Sequence, residues 1–444
     1  MHSAVSVVAF VRHLWRPVCV LETCVYKLGD HKAINYKKPA ESQPGLLRGF
    51  DMRTGRVLAL FSSAITGVCA LRMFTTSRLF ATAAAAPTTS STTCTASTLE
   101  RKKASLLGLY IADAVASPVH WYYDTRALKR DYGTITGYVK PKDKLEGSIM
   151  NLSNTGGGGR GSDQGSIIGD VINHGKKQYW LRGGNFHYHM GLEAGENTLE
   201  GQLTRVLVRT MASKGQEFTF DNFRDAYITF MRTPGSHNDT YASTAHRMFF
   251  ANLVKGVAPK DCADNDGHNT DAIDALTLVV PVILKYSDTI PKAELYSKVK
   301  DCMAVTRRTR ALDRYSMALT DILLEVLAGK DLRKTIETVA QEYFDGSVHN
   351  MVASSRDDPV VACYIDSSFP ALLHFAYKYA DSPERAVLAN ANAGGENVAR
   401  GSILGAIMGA AHGPQGWPAW AKDGLKATVE INAEIDSLFV KSEL

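Results

Sequence analysis

The stretch ANANAGGENVARGSILGAIMGAAHGPQGWPAW, residues 389–420, sets a pair of glycines directly before an apolar helix. Gly394 and Gly395 predict a sharp turn, because glycine adopts positive φ without steric cost. The helix that follows carries a stripe of glycines at intervals of four, which another helix backbone can approach closely: Gly401, Gly405 and Gly409. Glu396 and Asn397 project polar side chains from the turn. The stretch therefore predicts the floor of a ligand site, where the unpaired amides of a helix start favour anions.

Two earlier blocks have a similar mixture of small, polar and aromatic residues: GLYIADAVASPVHWYYD at residues 108–124 and HYHMGLEAGENTL at residues 187–199. With residues 389–420, and in this order, they resemble the motifs of the ADP-ribosylglycohydrolase family from about residue 99 to the C-terminus. HWYYD and HYHMGLEAGENTL are similar to the branch of that family with the J-type crystallins of jellyfish lens and selenoprotein J. The resemblance implies one compact all-α domain, and an ADP-ribose-like small molecule or an ADP-ribosylated substrate as its ligand.

Helical periodicity in residues 99–444 agrees with this fold class. Apolar residues recur every three to five positions from Leu199 to Met211 and from Tyr315 to Val326. Three longer apolar runs also predict helices: residues 268–286, 360–379 and 398–411. Clear strand alternation is scarce, so the sequence predicts one all-α domain without a flexible internal linker.

The metal-binding positions depart from the family pattern. The resemblance implies two magnesium ions, held by Thr-Asp-Asp in the early motif and by Asp, Asp and Thr in the late one. This chain has other residues at those positions: Gly195, Glu196, Asn197, Glu396, Val398 and Ala399. Because valine and alanine offer no side-chain oxygen, a standard binuclear magnesium centre is not expected. One ion held loosely by Glu196, Asn197 and Glu396, a different divalent metal, and no metal at all remain open.

The candidate catalytic residues are Asp113, His120 and Glu196. His120 stands where the family carries a glutamate, and histidine can act as an acid, a base or a metal ligand near neutral pH. Trp121 and Tyr122, which follow it, are candidates for stacking a flat ring, with Asp124 as a polar contact. The alternative is a helix C-terminus packed by aromatic residues, with Asp124 as a polar cap.

His187 and His189 form a second candidate group. In extended backbone their side chains would point the same way, which suits a zinc, manganese or iron ion with a carboxylate such as Glu196. Hydrogen-bonded contacts within a loop are the simpler interpretation, since two histidines two residues apart are common by chance.

Three loops add candidates for binding substrate. GSHNDTY at residues 235–241 and DNDGHNT at residues 264–270 are each expected to open a helix, and the resemblance places His268 and Asn269 in a substrate loop. Their Ser, Asp, Asn and Thr residues are also ordinary N-caps. The glycine-rich residues 156–161 could fold over a phosphate or form a simple connection. From the late motif, the substrate candidates are Gly394, Gly395 and Asn397.

Residues 1–98 are predicted to be a leader, followed by the domain at residues 99–444. Residues 1–100 contain 11 Lys or Arg and 5 Asp or Glu, which leaves 39 positive and 40 negative residues of the 50 and 45 in the chain. The near-neutral domain shows no charge pattern typical of nucleic-acid binding. The stretch 74–98 is rich in Ser, Thr and Ala and lacks acids, as in a transit peptide for a mitochondrion or plastid; a cytoplasmic protein with a disordered tail is the alternative. The apolar stretch 57–71 is too short for a stable membrane span.

The residues favour two functions from different classes. One is hydrolysis of an N- or O-glycosidic bond of an ADP-ribosyl or nucleotide-like substrate at a modified site. The other is a non-catalytic, crystallin-like binding or structural protein that has lost the binuclear magnesium centre. A third possibility is a hydrolase built on His120, His187 and His189 with a transition metal. The chain has no Walker motif, Gly-x-Ser-x-Gly elbow or dinucleotide fingerprint.

Overall fold

The computed structural model describes residues 96–148, 150, 167–180, 184–264 and 270–440. The predicted leader as far as residue 95, the glycine-rich residues 156–161, and His268 with Asn269 lie outside the described residues. Among the helices that are described, none has both the length and the apolar character needed to cross a membrane.

The described residues fall within one compact unit, Thr89–Leu444. Within them lie sixteen helices and isolated β-bridges but no β-strand, which confirms the prediction of one all-α domain. In chain order the helices are α1 (Thr98–Ala116), α2 (Thr125–Tyr132), α3 (Ile167–Asp170), α4 (Leu199–Lys214), α5 (Phe220–Arg232), α6 (Thr244–Val254), α7 (Val279–Tyr286), α8 (Lys292–Ala304), α9 (Asp313–Leu327), α10 (Leu332–Phe344), α11 (Val348–Ser354), α12 (Ile365–Lys378), α13 (Pro383–Ala393), α14 (Val398–His412), α15 (Ala419–Asp423) and α16 (Thr428–Phe439).

Helices α1 and α14 pack against each other with their backbones in close approach. A methyl group on Gly405 would lie 2.1 Å from the carbonyl oxygen of Gly108, and one on Gly409 would lie 2.1 Å from that of Ala104. Both distances are far shorter than a van der Waals contact, so the predicted glycine stripe is required by the fold. This packing fixes the helices that carry the first and the last motif relative to each other.

Two predicted helices begin later than the sequence suggested, and for one shared reason. Residues 270–272 and 360–364 are not helical, because the two segments pair with each other. Ile273 N donates to the carbonyl of Cys363 at 3.0 Å, and Ile365 N donates to that of Asp271 at 3.1 Å. A 3₁₀ turn at Ile273–Leu276 then precedes α7, and α12 begins directly after the pairing. The helices predicted from Leu199, Tyr315 and Val398 are present as α4, α9 and α14.

Candidate active site

The glycine pair in the last motif makes the predicted turn between α13 and α14. Gly394 has φ 72° and Gly395 has φ 62°. A side chain on Gly394 would collide with the Tyr122 carbonyl oxygen, which lies 2.2 Å from the position of its Cβ. Two backbone bonds hold the turn against the first motif: Trp121 N to Gly395 O at 2.9 Å, and Gly395 N to Tyr122 O at 2.8 Å. The turn therefore brings the residues after it next to the HWYYD block.

Glu396, the first residue after this turn, carries a buried carboxylate. Its Oε2 accepts a hydrogen bond from Trp121 Nε1 at 2.9 Å and lies 3.2 Å from His120 Nε2. Its Oε1 accepts from the amide of Ala399 at 3.2 Å, so the anion at the start of α14 is the protein's own carboxylate. Burial alone would raise the pKa of Glu396, but His120 and the Ala399 amide bring it below its ordinary value.

From Glu396, hydrogen bonds continue through two histidines to a second carboxylate. His120 Nδ1 lies 2.7 Å from His189 Nε2, and His189 Nδ1 lies 2.8 Å from Asp239 Oδ1. We call Glu396, His120, His189 and Asp239 the carboxylate–histidine chain. All four side chains are buried. Burial lowers the pKa of His120, and the neighbouring Glu396 carboxylate opposes that effect.

Asp239 anchors the far end of this chain to the backbone. Its Oδ2 accepts from the amide of Leu199, at the start of α4, at 2.7 Å, and its Oδ1 also accepts from the amide of Tyr241 at 3.2 Å. Burial would raise the pKa of Asp239, but His189 and the backbone donors lower it below its ordinary value. The segment that carries Asp239 does not open a helix directly, since α6 begins only at Thr244.

His187 lies beside the carboxylate–histidine chain but outside its line of hydrogen bonds. Its Nε2 lies 2.9 Å from the Pro118 carbonyl oxygen, and its Nδ1 accepts from the backbone amide of His189 at 3.0 Å. The backbone turns here, with Met190 N donating to His187 O at 3.3 Å, so the expectation of extended backbone with parallel histidines was wrong. Burial lowers the pKa of His187 to about 3. Both ring nitrogens of this histidine are engaged by the protein.

Asp113 joins the first motif to the second. Its Oδ2 accepts from Asn197 Nδ2 at 2.9 Å and from the amide of Thr198 at 2.8 Å. Its Oδ1 accepts from the hydroxyl of Thr198 at 2.7 Å. Burial raises the pKa of Asp113 to about 6, although these donors lower it in part. Asp113 and Asn197 are thus brought together at the N-terminus of α4.

Glu196 is oriented toward the neighbouring segment 235–241. Its Oε1 accepts from Asn238 Nδ2 at 2.6 Å, and its Oε2 accepts from the amide of Glu193 at 2.9 Å. Lys426 Nζ lies 3.6 Å from the same Oε2. These contacts stabilise the loop before α4.

Three other predicted site residues make local contacts. The Tyr122 hydroxyl donates to Asp131 at 3.1 Å, and exposed Asp124 caps α2 by accepting from Arg126 N at 2.9 Å. Asn397 Nδ2 donates to the carbonyls of Val119 and Ala391 at 3.1 and 3.2 Å. Asp124 thus caps the N-terminus of α2 and not a helix C-terminus, while Tyr122 and Asn397 make contacts within the fold.

Trp121 belongs to a cluster of aromatic rings next to Glu396. Its ring centroid lies 4.5 Å from that of Tyr188 and 4.9 Å from that of Tyr241, both edge to face. Trp121 itself adopts a positive φ of 59°, a conformation that is uncommon for a bulky residue. Tyr123, three residues after His120, is 54% exposed. Aromatic surface therefore extends from the buried carboxylate to the solvent.

Comparison with known proteins gives the family. A sequence model of the ADP-ribosylglycohydrolase family matches residues 95–443. The chain belongs to the ADP-ribosylglycohydrolase family. A solved structure described as "ADP-ribosylglycohydrolase-related protein complex" is 16% identical to it with a TM-score of 0.46, and the match covers 77% of this chain and 98% of that one. No curated protein sequence matches the chain.

The described residues of this family member do not fit a binuclear magnesium centre. At the late ligand positions, Val398 and Ala399 are buried and have no side-chain oxygen to offer a hard cation. Both carboxylate oxygens of Glu396 are already hydrogen-bonded to protein groups. Across the part of the chain that the structure describes, no three side chains of His, Cys, Asp or Glu converge as a metal ion would require.

Asp239 is the member of the site that the sequence analysis did not single out. It lies within the segment 235–241, which the sequence predicted to be a loop that opens a helix. Its partners, His189 and the amide of Leu199, are 50 and 40 residues away in the chain. The acidic residue close to a histidine was visible in the sequence, but nothing local indicated which histidine it would contact.

Proposed function

We propose that this ADP-ribosylglycohydrolase cleaves a glycosidic bond of an ADP-ribosyl or similar nucleotide-like substrate, with Glu396 and His120 at the reacting bond in place of two magnesium ions. The observation that carries the proposal is the position of Glu396. It occupies a late-motif ligand position of the family, yet its carboxylate is held by His120 and Trp121. Family membership supports the glycohydrolase class, and the substrate and the chemistry are the proposal.

In this proposal Glu396 acts as the general base. Its lowered pKa keeps the carboxylate ionised at neutral pH, where it stabilises positive charge that develops at the anomeric carbon. A water molecule attacks that carbon and the glycosidic bond breaks. The water proton passes to Glu396, which then transfers it to the leaving group and returns to the carboxylate. His120 keeps the carboxylate in position through its Nε2.

All three carboxylates have both oxygens hydrogen-bonded, but of the three it is Glu396 that contacts His120, so Asp113 and Glu196, the other predicted catalytic residues, are assigned positioning roles. Both oxygens of Asp113 are occupied by Asn197 and Thr198. Those of Glu196 are bound by Asn238 and the Glu193 amide. Each carboxylate therefore fixes backbone around the second motif.

The aromatic rings beside Glu396 suit a substrate with a flat base. The ring centroid of His120 lies 4.2 Å from that of Trp121, whereas Tyr123 is 54% exposed and presents ring surface to the solvent. Stacking on such surfaces favours adenine or a nicotinamide-like ring over a purely aliphatic group.

Two finer assignments rest on sequence alone. The HWYYD and HYHMGLEAGENTL blocks support a place in the branch with the J-type crystallins and selenoprotein J. The composition of residues 74–98 supports delivery to a mitochondrion or plastid.

The test is release of ADP-ribose from mono-ADP-ribosylated protein and from O-acetyl-ADP-ribose by the purified full-length chain. We expect saturable turnover that EDTA leaves unchanged. We expect His120→Ala and Glu396→Gln each to lower kcat by about 10²-fold or more, the size of a general acid–base contribution. His374→Ala is the matched control, because it removes another buried histidine, bound to Asp358, at a different place in the fold.

Two results would count against this function. Loss of turnover in EDTA, restored by magnesium, would show that the family's metal chemistry persists. A folded protein that ADP-ribose stabilises against heat but that releases no product would favour the non-catalytic binding or structural protein.

A further inference from the structure

We propose that His189 is the charged member of the buried histidine pair: an imidazolium held by Asp239 that donates its second proton to a neutral His120. His189 and Asp239 are then positioning residues that fix the tautomer of His120. The effect on catalysis rests on the proposed function, whereas the protonation pattern does not.

The number of protons follows from the hydrogen-bond geometry. Carboxylates accept, so the ring nitrogens that face Glu396 and Asp239, His120 Nε2 and His189 Nδ1, must each carry a proton. The remaining nitrogens, His120 Nδ1 and His189 Nε2, lie only 2.7 Å apart. If neither carried a proton, two lone pairs would face each other at hydrogen-bond distance. The pair therefore holds three protons on four nitrogens, which gives it one positive charge.

The two carboxylates are ionised in this arrangement. Glu396 accepts from Trp121 Nε1 and from the Ala399 amide besides His120, and the pKa of Asp239 lies below its ordinary value despite burial, chiefly because of His189. Asp239 also accepts from the amides of Leu199 and Tyr241, which leaves no need for a proton on its oxygens. A protonated carboxylic acid is thus not the source of the third proton.

The asymmetry of the pair places the charge on His189. Its contact with Asp239 is 2.8 Å, whereas the contact of His120 with Glu396 is 3.2 Å. Charge-assisted hydrogen bonds are the shorter kind. Burial lowers the pKa of His120, which agrees with a neutral ring there.

Other titratable groups around the pair leave this assignment in place. His187 carries its own proton toward the Pro118 carbonyl, and burial holds its pKa at about 3, so it adds no second positive charge near neutral pH. Asp113, from α1, lies close enough for His189 to lower its pKa, although burial still leaves that pKa raised, at about 6. The negative neighbours thus favour the cation.

The protonated His189 fixes the tautomer of His120, so that His120 Nε2 always donates a hydrogen bond to Glu396. With His189 donating to Nδ1, His120 has its proton on Nε2, where it meets Glu396. Without that donation the neutral ring of His120 can carry its single proton on either nitrogen. In the tautomer with the proton on Nδ1, Nε2 cannot donate a hydrogen bond to Glu396. We therefore expect Asp239→Asn to lower kcat about 10²-fold while KM changes little.

The direct test is nuclear magnetic resonance of the full-length chain with ¹⁵N-labelled histidine, which reports whether each ring nitrogen carries a proton. We expect both nitrogens of His189 and only Nε2 of His120 to be protonated at neutral pH. In Asp239→Asn the His189 pattern should change to that of a neutral ring. Asp358→Asn is the matched control, because it removes the carboxylate from another buried histidine, His374, and should leave His189 unchanged.

A second variant covers the case in which Asp239→Asn does not fold. His189→Gln places a neutral amide donor near His120 Nδ1, so we expect the Nε2 tautomer of His120 to remain. Neutral His189 in the wild-type protein, or a His189 signal that Asp239→Asn leaves unmoved, would overturn the inference. An imidazolium at His189 in a protein without turnover would overturn the proposed function and leave the inference standing.

Discussion

Asp113 makes a strong prediction at the scale of a single residue, because it is a buried carboxylate that only accepts hydrogen bonds. Three donors from Asn197 and Thr198 converge on its two oxygens. In Asp113→Asn an NH₂ group replaces one carboxylate oxygen, so two hydrogen-bond donors face each other in a buried place. We therefore expect a loss of about 2–4 kcal/mol in the free energy of unfolding. Urea denaturation followed by circular dichroism measures this loss.

The control for that experiment is Asp124→Asn. Asp124 is exposed and caps α2, and asparagine is an equally good N-cap, so we expect almost no change in stability. If the two variants unfold at the same urea concentration, the convergence of donors on Asp113 contributes nothing to the fold.

The sequence predicted single residues best where its signal was local. Gly394 and Gly395 have the positive φ that the turn required. The extended backbone expected at His187 was wrong, because the ring of His187 bonds the amide of His189 and the chain turns. The contact of His189 with Asp239 depends on how α4 and the segment before α6 pack, which local sequence does not encode.

At the scale of helices, the close approach of α1 and α14 should tolerate no added methyl group. We expect Gly405→Ala and Gly409→Ala each to cost at least about 1–3 kcal/mol of stability, because the new Cβ would lie 2.1 Å from a backbone oxygen on α1. Backbone atoms cannot rotate aside as a side chain can. Thermal unfolding of the purified variants measures the cost.

Gly137→Ala is the comparison for these helix variants. A methyl group there would meet Trp420 at 3.7 Å, an ordinary contact, so we expect stability to change little. Equal melting temperatures for Gly405→Ala and the wild-type protein would contradict the tight packing of α1 against α14.

Helix existence was predictable from periodicity, whereas two helix starts were not. Apolar spacing correctly predicted α4, α9 and α14. It also extended two helices backward into residues 268–272 and 360–364, since an apolar run has the same composition whether it is helical or extended. The described part of each extension instead pairs with the other through the bridge between Ala272 and Tyr364, a contact between distant segments.

At the scale of the whole molecule, buried neutral histidines should make the protein sensitive to mild acid. Burial lowers the pKa of His187 to about 3 and that of His237 to about 4, from 6.5. Below pH 6.5 these two histidines therefore bind protons in the unfolded chain but stay neutral in the folded protein. Stability from these two groups is complete above pH 6.5 and is lost as the pH falls toward 4, at up to about 1.4 kcal/mol per pH unit for each proton.

Asp113 changes the pH dependence of stability in the opposite direction, but it is one group against two histidines. Its pKa rises from 3.8 to about 6 on burial, so between these values the folded state binds its proton more strongly and acid favours folding. One such carboxyl offsets one of the two histidines, and the net effect is a loss of stability between pH 6.5 and 4.

We expect the urea midpoint to fall steadily across this range in the wild-type protein and less steeply in His187→Gln, which has no ring to protonate. His349→Gln, at an exposed position, should keep the wild-type slope. If His187→Gln kept that slope as well, burial of a neutral His187 could not be the cause of the acid sensitivity between pH 6.5 and 4.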